Sequence, residues 1–313
     1  MLQGPTDRQM QLAAWSGLVV NVLLTLAKAA VGVHADSRAL LADAVHSGAD
    51  VFGSIAVMVG LRVARKPPDA DHPYGHGKAE LLSSAVVAAV LVLAAVQVGY
   101  DSIGSLFTAV SPPSPPAAWM AAAAIAVKEA LYQYFHRLGR RLHSRSLLAS
   151  AVDHRSDVFA SSAALLGIVL ALVGRWAGVH WLLYMDGVAG AFVALLVLKM
   201  GYDLARETAQ PLMDRVLEGE ELLPYERCVN GVRGVRRIDG LRVRDHGQYV
   251  IVDVKIGVDA DMTVARGHAI AADVKQVLMQ EFPRVLDVLV HVNPYYPDPP
   301  VDRGPRDSEE GGA

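Results

Sequence analysis

Long apolar stretches fill the first two thirds of the chain, and short polar segments separate them. A helix that crosses the hydrocarbon core of a bilayer needs about 20 mostly apolar residues. Six stretches come near that length, so the pattern predicts six transmembrane helices. They cover residues 12–33, 40–63, 81–108, 117–135, 147–173 and 181–202.

The pattern changes after residue 210, where charged residues become frequent and the apolar runs shorten to strand length. This part is expected to be a small soluble α+β domain with the order helix, strand, strand, helix, strand. The strands are expected at 240–245, 249–258 and 285–294, and the helices near 222–229 and 263–282. We therefore divide the chain into an N-terminal segment (1–11), a six-helix membrane domain (12–210), a soluble domain (211–296) and a disordered tail (297–313).

The basic residues of the short loops predict the orientation in the membrane. The second and fourth loops between predicted spans, with their flanking residues, hold eight Lys and Arg residues: Arg62, Arg65, Lys66, Lys78, Arg137, Arg140, Arg141 and Arg145. The opposite loops hold Arg38 and Arg175. Because Lys and Arg are enriched in cytoplasmic loops, both termini should be cytoplasmic, in a cell (inner) membrane surrounded by lipid.

Composition agrees with a membrane protein, since 52% of the residues are hydrophobic. The net charge is only -3, and the basic residues form short clusters between apolar stretches, which argues against nucleic acid as a partner. The single cysteine, Cys228, excludes a disulfide framework or a thiolate metal cluster within one chain.

Two of the predicted spans carry ionisable residues at helical spacing. Asp43, His46 and Asp50 share one face of the second span, and Asp153 and Asp157 lie four residues apart in the fifth. A charged group in a span costs about 2.5 to 3.5 kcal/mol on insertion scales, so such groups usually face a functional interior.

His46, Asp50, Asp153 and Asp157 can close a tetrahedral metal site with one nitrogen and three oxygen ligands when the two helices pack together. We take these acids to have no basic partner within their own spans, so that in a low dielectric they need a bound cation. Without metal, neighbouring carboxylates in a poorly hydrated cavity should hold protons, which metal binding releases. The alternative is that the four residues hydrogen-bond between helices or lie among lipid headgroups.

Further histidines and acids lie outside the spans. The loop after the second span has Asp69, Asp71, His72 and His76 within eight residues, where Gly75 lets the backbone turn. This density suggests a second metal site, and a solvated polar turn is the alternative. The soluble domain offers Asp239, Asp253, His268 and His291, which are weak candidates because such residues are common on surfaces.

Four segments together resemble the cation diffusion facilitators, a family of metal-ion and proton antiporters. They are ADAVHSGADVF, HPYGHGKAELLSS, DHRSDVFASSAALLG and DVLVHVNP, and the resemblance extends from about residue 10 to residue 296. It implies a homodimer with six transmembrane helices per chain and a cytoplasmic ferredoxin-like, metallochaperone-like domain for metal binding and dimerisation.

The resemblance also implies functions for the candidate residues. The transport ligands fall on His46, Asp50, Asp153 and Asp157, and a loop site falls on Asp69, His72 and His76. Metal-sensing sites near the dimer interface fall on Asp239, Asp253, His268 and His291. Lys78 and Asp214 match a charge pair that links the membrane dimer to the soluble domain in relatives.

The sequence departs from the family pattern at two positions. Zinc-selective members commonly have histidine where this chain has Asp153, although His154 is adjacent and three residues from Asp157. Asn293 stands where some relatives have a carboxylate. One imidazole with three carboxylates shifts the expected ion toward manganese or iron without excluding zinc, and the sequence does not rank the three.

The function expected from these features is proton-driven efflux of a divalent transition metal (Zn²⁺, Fe²⁺ or Mn²⁺) from the cytoplasm, with metal also as a regulator. A non-transporting, metal-sensing membrane partner is one alternative, but such a partner has no need of four buried ligands. An intramembrane metalloenzyme is another, and it would require an open coordination position that four protein ligands do not leave.

Overall fold

The computed structural model describes residues 5–108, 112–142 and 144–297. The chain divides into two compact units, Met1–Ala209 and Gln210–Ala313. The predicted disordered tail lies outside the described residues from position 298 onward.

The first unit is built from long helices connected by short segments. The helices are α1 (Pro5–His34), α2 (Arg38–Ala64), α3 (Lys78–Gly104), α4 (Pro116–Leu142), α5 (Arg145–Ala177) and α6 (Met185–Leu212). Among the described residues, α1, α2, α3, α5 and α6 contain stretches long and apolar enough to cross a membrane.

Helix α4 corresponds to the fourth predicted span and is less apolar than the others. Lys128 and Glu129 lie in its middle, and Arg140 and Arg141 lie in its last turn. Its 27 residues cover roughly 40 Å at about 1.5 Å per residue, which exceeds the roughly 30 Å of a hydrocarbon core. It packs against α1 and α5, so α4 belongs to the same helical bundle.

Two helix boundaries differ from those of the predicted spans. Helix α4 continues to Leu142, beyond the predicted span end at 135, through a basic segment. Helix α6 begins at Met185, after the short 3-10 helix His180–Tyr184, although the apolar stretch long enough to cross a membrane runs from His180 to Leu212. The pattern of apolar residues predicts the spans but not where each helix begins and ends.

A buried carboxylate of α6 caps the start of α2. The Ser37 hydroxyl and the Arg38 backbone N–H each donate a hydrogen bond to one carboxylate oxygen of Asp186, and both bonds are 2.6 Å long. The Ser37 oxygen also accepts from the Leu40 N–H at 3.1 Å. These bonds satisfy backbone groups that a helix start leaves unpaired, and they hold the beginnings of α2 and α6 together.

The outer surface of the bundle is apolar. Large side chains such as Leu93 and Phe107 are mostly exposed. Trp119, Trp176 and Trp181 are also exposed and lie near the ends of helices, where aromatic residues of membrane proteins meet the lipid headgroups. The first unit is therefore the membrane-spanning part of a multi-pass membrane protein.

The second unit is a three-stranded sheet with two helices. Its elements are α7 (Leu223–Asn230), β1 (Arg237–Asp245), β2 (Val250–Asp259), α8 (Val264–Glu281) and β3 (Val285–Tyr295). The strands are ordered β1-β2-β3, with β1 antiparallel and β3 parallel to β2. The parallel pairing requires a crossover, and α8 supplies it.

Valine and isoleucine residues of β2 form the centre of this unit with α8. Val252, Ile256, Val274 and Leu278 are fully buried in one apolar cluster. The predicted order of elements is confirmed, as is the fold class of a helical membrane domain followed by a small α+β domain.

Candidate metal centre

Helices α2 and α5 bring three of the predicted transport ligands to one buried region. His46 and Asp50 lie one turn apart on α2, and Asp157 lies on α5, which packs against α2. His46 and Asp157 are both buried, and His46 Nε2 lies 3.5 Å from Asp157 Oδ1. An imidazole from one helix therefore faces a carboxylate from the other.

A lysine of α4 completes this region. The Lys128 side chain is fully buried, and its Nζ donates a hydrogen bond to Asp157 Oδ2 at a distance of 2.5 Å. The same Nζ lies 4.0 Å from Asp50 Oδ2. Lys128 therefore places a positive charge between two of the predicted ligand carboxylates.

The expectation that these acids need a bound cation for lack of a basic partner is wrong. Their partner comes from α4, and the periodicity of the two ligand-bearing helices contains no information about a third helix. In addition, Arg155 lies within the fifth span, although its side chain is 49% exposed and lies 3.8 Å from Glu129. The signal for Lys128 was present, because a lysine in the middle of an apolar stretch requires a buried partner.

A second buried lysine forms a separate ion pair. Lys28 Nζ of α1 lies 2.8 Å from Asp43 Oδ2, and both side chains are fully buried. Lys28 also donates to the hydroxyls of Ser47 and Ser161, and Ser161 donates to Asp43 at 3.0 Å. Asp43 thus forms a satisfied network that joins α1, α2 and α5.

The structure places Asp153 and its neighbour His154 differently. Asp153 is exposed, whereas His154 is buried, with its Nδ1 3.8 Å from Asp157 Oδ2 and its ring edge-on to Phe135. His154 is therefore a buried neighbour of Asp157 in this conformation, whereas Asp153 is exposed. The assignment of Asp153 as the fourth ligand stays a prediction.

The donor atoms of this region fit a divalent transition metal. Among the described residues, His46 Nδ1, Asp50 Oδ2 and His154 Nδ1 are buried without a hydrogen-bond partner. Buried polar atoms are normally hydrogen-bonded, so unpaired ones mark a place where a ligand can bind. Imidazole nitrogen and carboxylate oxygen are suitable ligands for Mn²⁺, Fe²⁺ and Zn²⁺.

The loop between α2 and α3 gathers a second group of donors. Asp69, His72 and His76 each offer an atom within 4.8 Å of the other two, the one such group found among the described residues. The two imidazole rings lie 4.3 Å apart. Gly75 has a φ of 79°, a left-handed conformation that glycine adopts readily, and this turn brings His76 back toward Asp69.

Hydrogen bonds hold the loop carboxylate ready as a ligand. The His72 backbone N–H donates a hydrogen bond to Asp69 Oδ1 at a distance of 2.7 Å, and His76 Nε2 lies 3.5 Å from Asp69 Oδ2. The backbone bond from His72, together with the nearby imidazoles, lowers the pKa of Asp69. Asp69 therefore stays ionised at physiological pH, as metal binding requires.

The four candidates of the soluble unit do not form a comparable group within one chain. Asp253 on β2 lies 2.8 Å from Arg244 on β1, and His268 and His291 are exposed. Asp239 accepts hydrogen bonds from Asn293 at 2.8 Å and from Arg237 at 2.6 Å.

These bonds from Asn293 and Arg237 lower the pKa of Asp239. The amide of Asn293 donates where a carboxylate would repel Asp239. With Asn293 at the position where some relatives have a carboxylate, this chain has an amide-to-carboxylate hydrogen bond there and not two neighbouring carboxylates.

Lys78 and Asp214 belong to different units. Lys78 is the first residue of α3, and Asp214 follows α6 with a φ of 61°. Within the second unit, His246 Nε2 lies 3.7 Å from Asp214 Oδ1. The charge pair between Lys78 and Asp214 stays a prediction.

Family models match nearly the whole chain. The model of the cation efflux transmembrane domain matches residues 14–213, and that of the cation efflux protein cytoplasmic domain matches residues 217–295. Among solved structures, the cadmium form of a variant of the MamM CTD matches 25% of this chain and 98% of its own. The matched residues are 27% identical, and the TM-score is 0.24.

Several relatives share most of their length with this chain. The manganese efflux system protein MneP of Bacillus subtilis is 39% identical over 89% of this chain and 94% of its own length. MneS of the same organism, also a manganese efflux system protein, is 32% identical over 85% of this chain and 91% of its own. The magnetosome protein MamB of Magnetospira sp. is 33% identical over 90% of this chain and 94% of its own length. The chain therefore belongs to the cation diffusion facilitator family, whose members are transporters of metal cations and not enzymes.

Proposed function

We propose that this metal efflux transporter exchanges a divalent transition-metal ion for protons at a site made by His46, Asp50, Asp153 and Asp157. The observation that supports it most strongly is the buried contact between His46 of α2 and Asp157 of α5, with Asp50 one turn away. Two helices that each supply ligands can open and close around an ion by changing their packing.

Manganese is the proposed cargo, with iron and zinc as the competing ions. A site with more carboxylates than imidazoles suits the harder divalent ions. Two relatives that span most of this chain are manganese efflux proteins. The proposal of manganese therefore rests on the chemistry of the site and on the similarity of the whole chain.

Protons are the proposed counter-ions. His46 and Asp157 are buried in contact with each other, Asp50 lies nearby with its side chain 29% exposed, and each of the three can bind a proton when no metal is present. Because metal ligands coordinate in deprotonated form, metal binding must release those protons. A proton gradient directed into the cytoplasm would then drive the metal outward.

The remaining parts of the chain have proposed functions in the same cycle. We place both termini in the cytoplasm, since the basic residues concentrate in the loops on that side. The group of Asp69, His72 and His76 would then bind a second ion at the cytoplasmic surface. The second unit would form a homodimer, with Asp239, Asp253, His268 and His291 near the interface as metal sensors.

Transport in reconstituted vesicles tests this function. Vesicles with purified protein are loaded with Mn²⁺, Fe²⁺ or Zn²⁺, and ion movement is followed with and without a pH gradient. We expect Mn²⁺ movement that responds to the gradient and is abolished by Asp157→Asn. The matched control is Asp203→Asn, which changes an exposed carboxylate of α6 paired with Lys199.

Two results would contradict the proposal. If the wild-type protein moves none of the three ions, or if Asp157→Asn moves them equally well, the site is wrong. If ions move without any response to the pH gradient, proton exchange is wrong. Comparison of Asp153→Asn with His154→Ala identifies the fourth ligand. Only the substitution that removes the true ligand should raise the metal concentration needed for half-maximal transport.

A further inference from the structure

We infer that Lys128 is an internal cation that occupies the carboxylates of the transport site when the carrier is empty and competes there with the metal. This inference rests on the proposed function. It assigns the lysine a part in both the affinity for the ion and the rate of the cycle.

The contacts of Lys128 are the first support. Its side chain has no exposed surface, and its Nζ lies 2.5 Å from Asp157 Oδ2 and 4.0 Å from Asp50 Oδ2. Both carboxylates are proposed metal ligands. The ammonium group therefore binds one oxygen atom of Asp157 that a metal ion would need, and it lies close to a second one on Asp50.

A metal ion and this ammonium group cannot share the site. Coordination uses the lone pairs of Asp157 that the Lys128 ammonium now engages. Two positive charges a few ångströms apart also repel strongly where water is scarce. Since the lysine stem has four flexible carbons, Lys128 can withdraw when an ion enters and return when it leaves.

The balance of charge shows what this exchange achieves. In the metal-free site, Lys128 offsets one of the two negative charges that Asp50 and Asp157 carry when deprotonated, and an exchanged proton can offset the other. In the loaded site, a divalent ion offsets both, and the lysine is no longer needed there. Lys128 therefore lowers the cost of changing conformation without cargo, and it weakens metal binding in return.

The other buried lysine provides a contrast. Lys28 is equally inaccessible, but its described partners are Asp43, Ser47 and Ser161, none of which is a proposed ligand. Its network is satisfied without an ion. A buried lysine in this bundle therefore has no general need to contact the transport site, and the position of Lys128 is specific.

The test separates affinity from turnover. Lys128→Met and Lys128→Gln are prepared in full-length protein that also carries Asp69→Ala and His72→Ala, which removes the loop group. Mn²⁺ binding is measured by calorimetry with and without Asp157→Asn, so that only binding that depends on Asp157 is counted. Vesicle assays then compare net Mn²⁺ efflux with the exchange of Mn²⁺ for radioactive Mn²⁺.

We expect both Lys128 variants to bind Mn²⁺ at least tenfold more tightly and to lose most net efflux, while Mn²⁺ exchange continues. Exchange does not need the empty carrier to change conformation, so it should not need Lys128. The control is Lys28→Met with Asp43→Asn, which removes the other buried ion pair as a unit and should not tighten binding. For a variant too unstable for transport assays, the increase in melting temperature with Mn²⁺ should still exceed that of the unsubstituted background.

Several outcomes would overturn the inference. Unchanged or weaker Mn²⁺ binding in both Lys128 variants would show that the lysine does not compete with metal. Equal loss of efflux and exchange would show a structural role. Tighter binding in the Lys28 control would show a general effect of removing buried charge. Failure of the proposed function is distinguishable, because it would appear as an absence of Mn²⁺ transport in the wild-type protein.

Discussion

Removing Lys28 alone should destabilise the membrane unit at least as much as removing Lys28 and Asp43 together. The two side chains form a fully buried pair with Nζ and Oδ2 2.8 Å apart. The Lys28→Met substitution leaves the carboxylate of Asp43 with hydrogen bonds from Ser161 but without a counter-charge. A buried charge without a partner is strongly unfavourable in a low dielectric.

The magnitude follows from the burial of the pair. Breaking a buried ion pair by removing one partner costs about 3–5 kcal/mol, so Lys28→Met and Asp43→Leu should each lose about that much. Replacing both by apolar residues is often nearly neutral. The hydroxyls of Ser47 and Ser161 then lose partners, at about 1–3 kcal/mol if they stay unsatisfied. The double variant should therefore lose no more than either single variant.

A double-mutant cycle measures this coupling. Unfolding of the four proteins in mixed micelles is followed by circular dichroism as the fraction of denaturing detergent increases. We expect an interaction energy of at least about 3 kcal/mol between Lys28 and Asp43. Additive losses, with the double variant as unstable as the sum of the single variants, would refute the description of these residues as one closed pair.

Three further predictions concern other parts of the chain. A Cβ added at Gly167 would lie 2.2 Å from the Cβ of Ala189, so Gly167→Val should separate α5 from α6 and lower thermal stability by roughly 1–3 kcal/mol or more. In the soluble unit, Asn293→Asp would place a second carboxylate beside Asp239, and repulsion should raise the pKa of the pair. When the folded-state pKa of a carboxyl lies above its unfolded value, ionisation of that carboxyl favours unfolding. This variant should therefore match the stability of the wild type below about pH 4, where the carboxyls are protonated, and become less stable as the pH rises. In the loop, Asp69→Ala should weaken Zn²⁺ binding, measured by calorimetry in a chain that also carries Asp157→Asn.

Each of these predictions has a clear contrary outcome. Unchanged melting of Gly167→Val would mean that α5 and α6 are not packed so closely. Equal stability of Asn293→Asp and wild type at pH 7 without metal would contradict the hydrogen bond to Asp239. Undiminished Zn²⁺ binding by Asp69→Ala would show that the two loop histidines bind without the carboxylate.

Much of the fold could be read from the chain because its determinants are local. The length of an apolar stretch predicts a span, and alternating valines predict a strand of the small sheet. Spacings of four residues predict that His46 and Asp50 share a helix face. The exact ends of the helices could not be predicted in this way, as the extension of α4 to Leu142 and the short helix His180–Tyr184 show, because helix ends depend on local backbone hydrogen bonds more than on apolar content.

The sequence by itself determined which helices carry ionisable residues and on which faces those residues lie, since these are properties of one helix. Only the tertiary structure decided which charges meet. It placed Lys128 of α4 against Asp157, paired Lys28 of α1 with Asp43, and buried His154 beside Asp157 while Asp153 is exposed. The physical reason is that a charge buried in a bundle must be matched by whichever neighbouring helix brings an opposite charge within reach. The packing of helices selects that neighbour, and the spacing of residues along one helix does not.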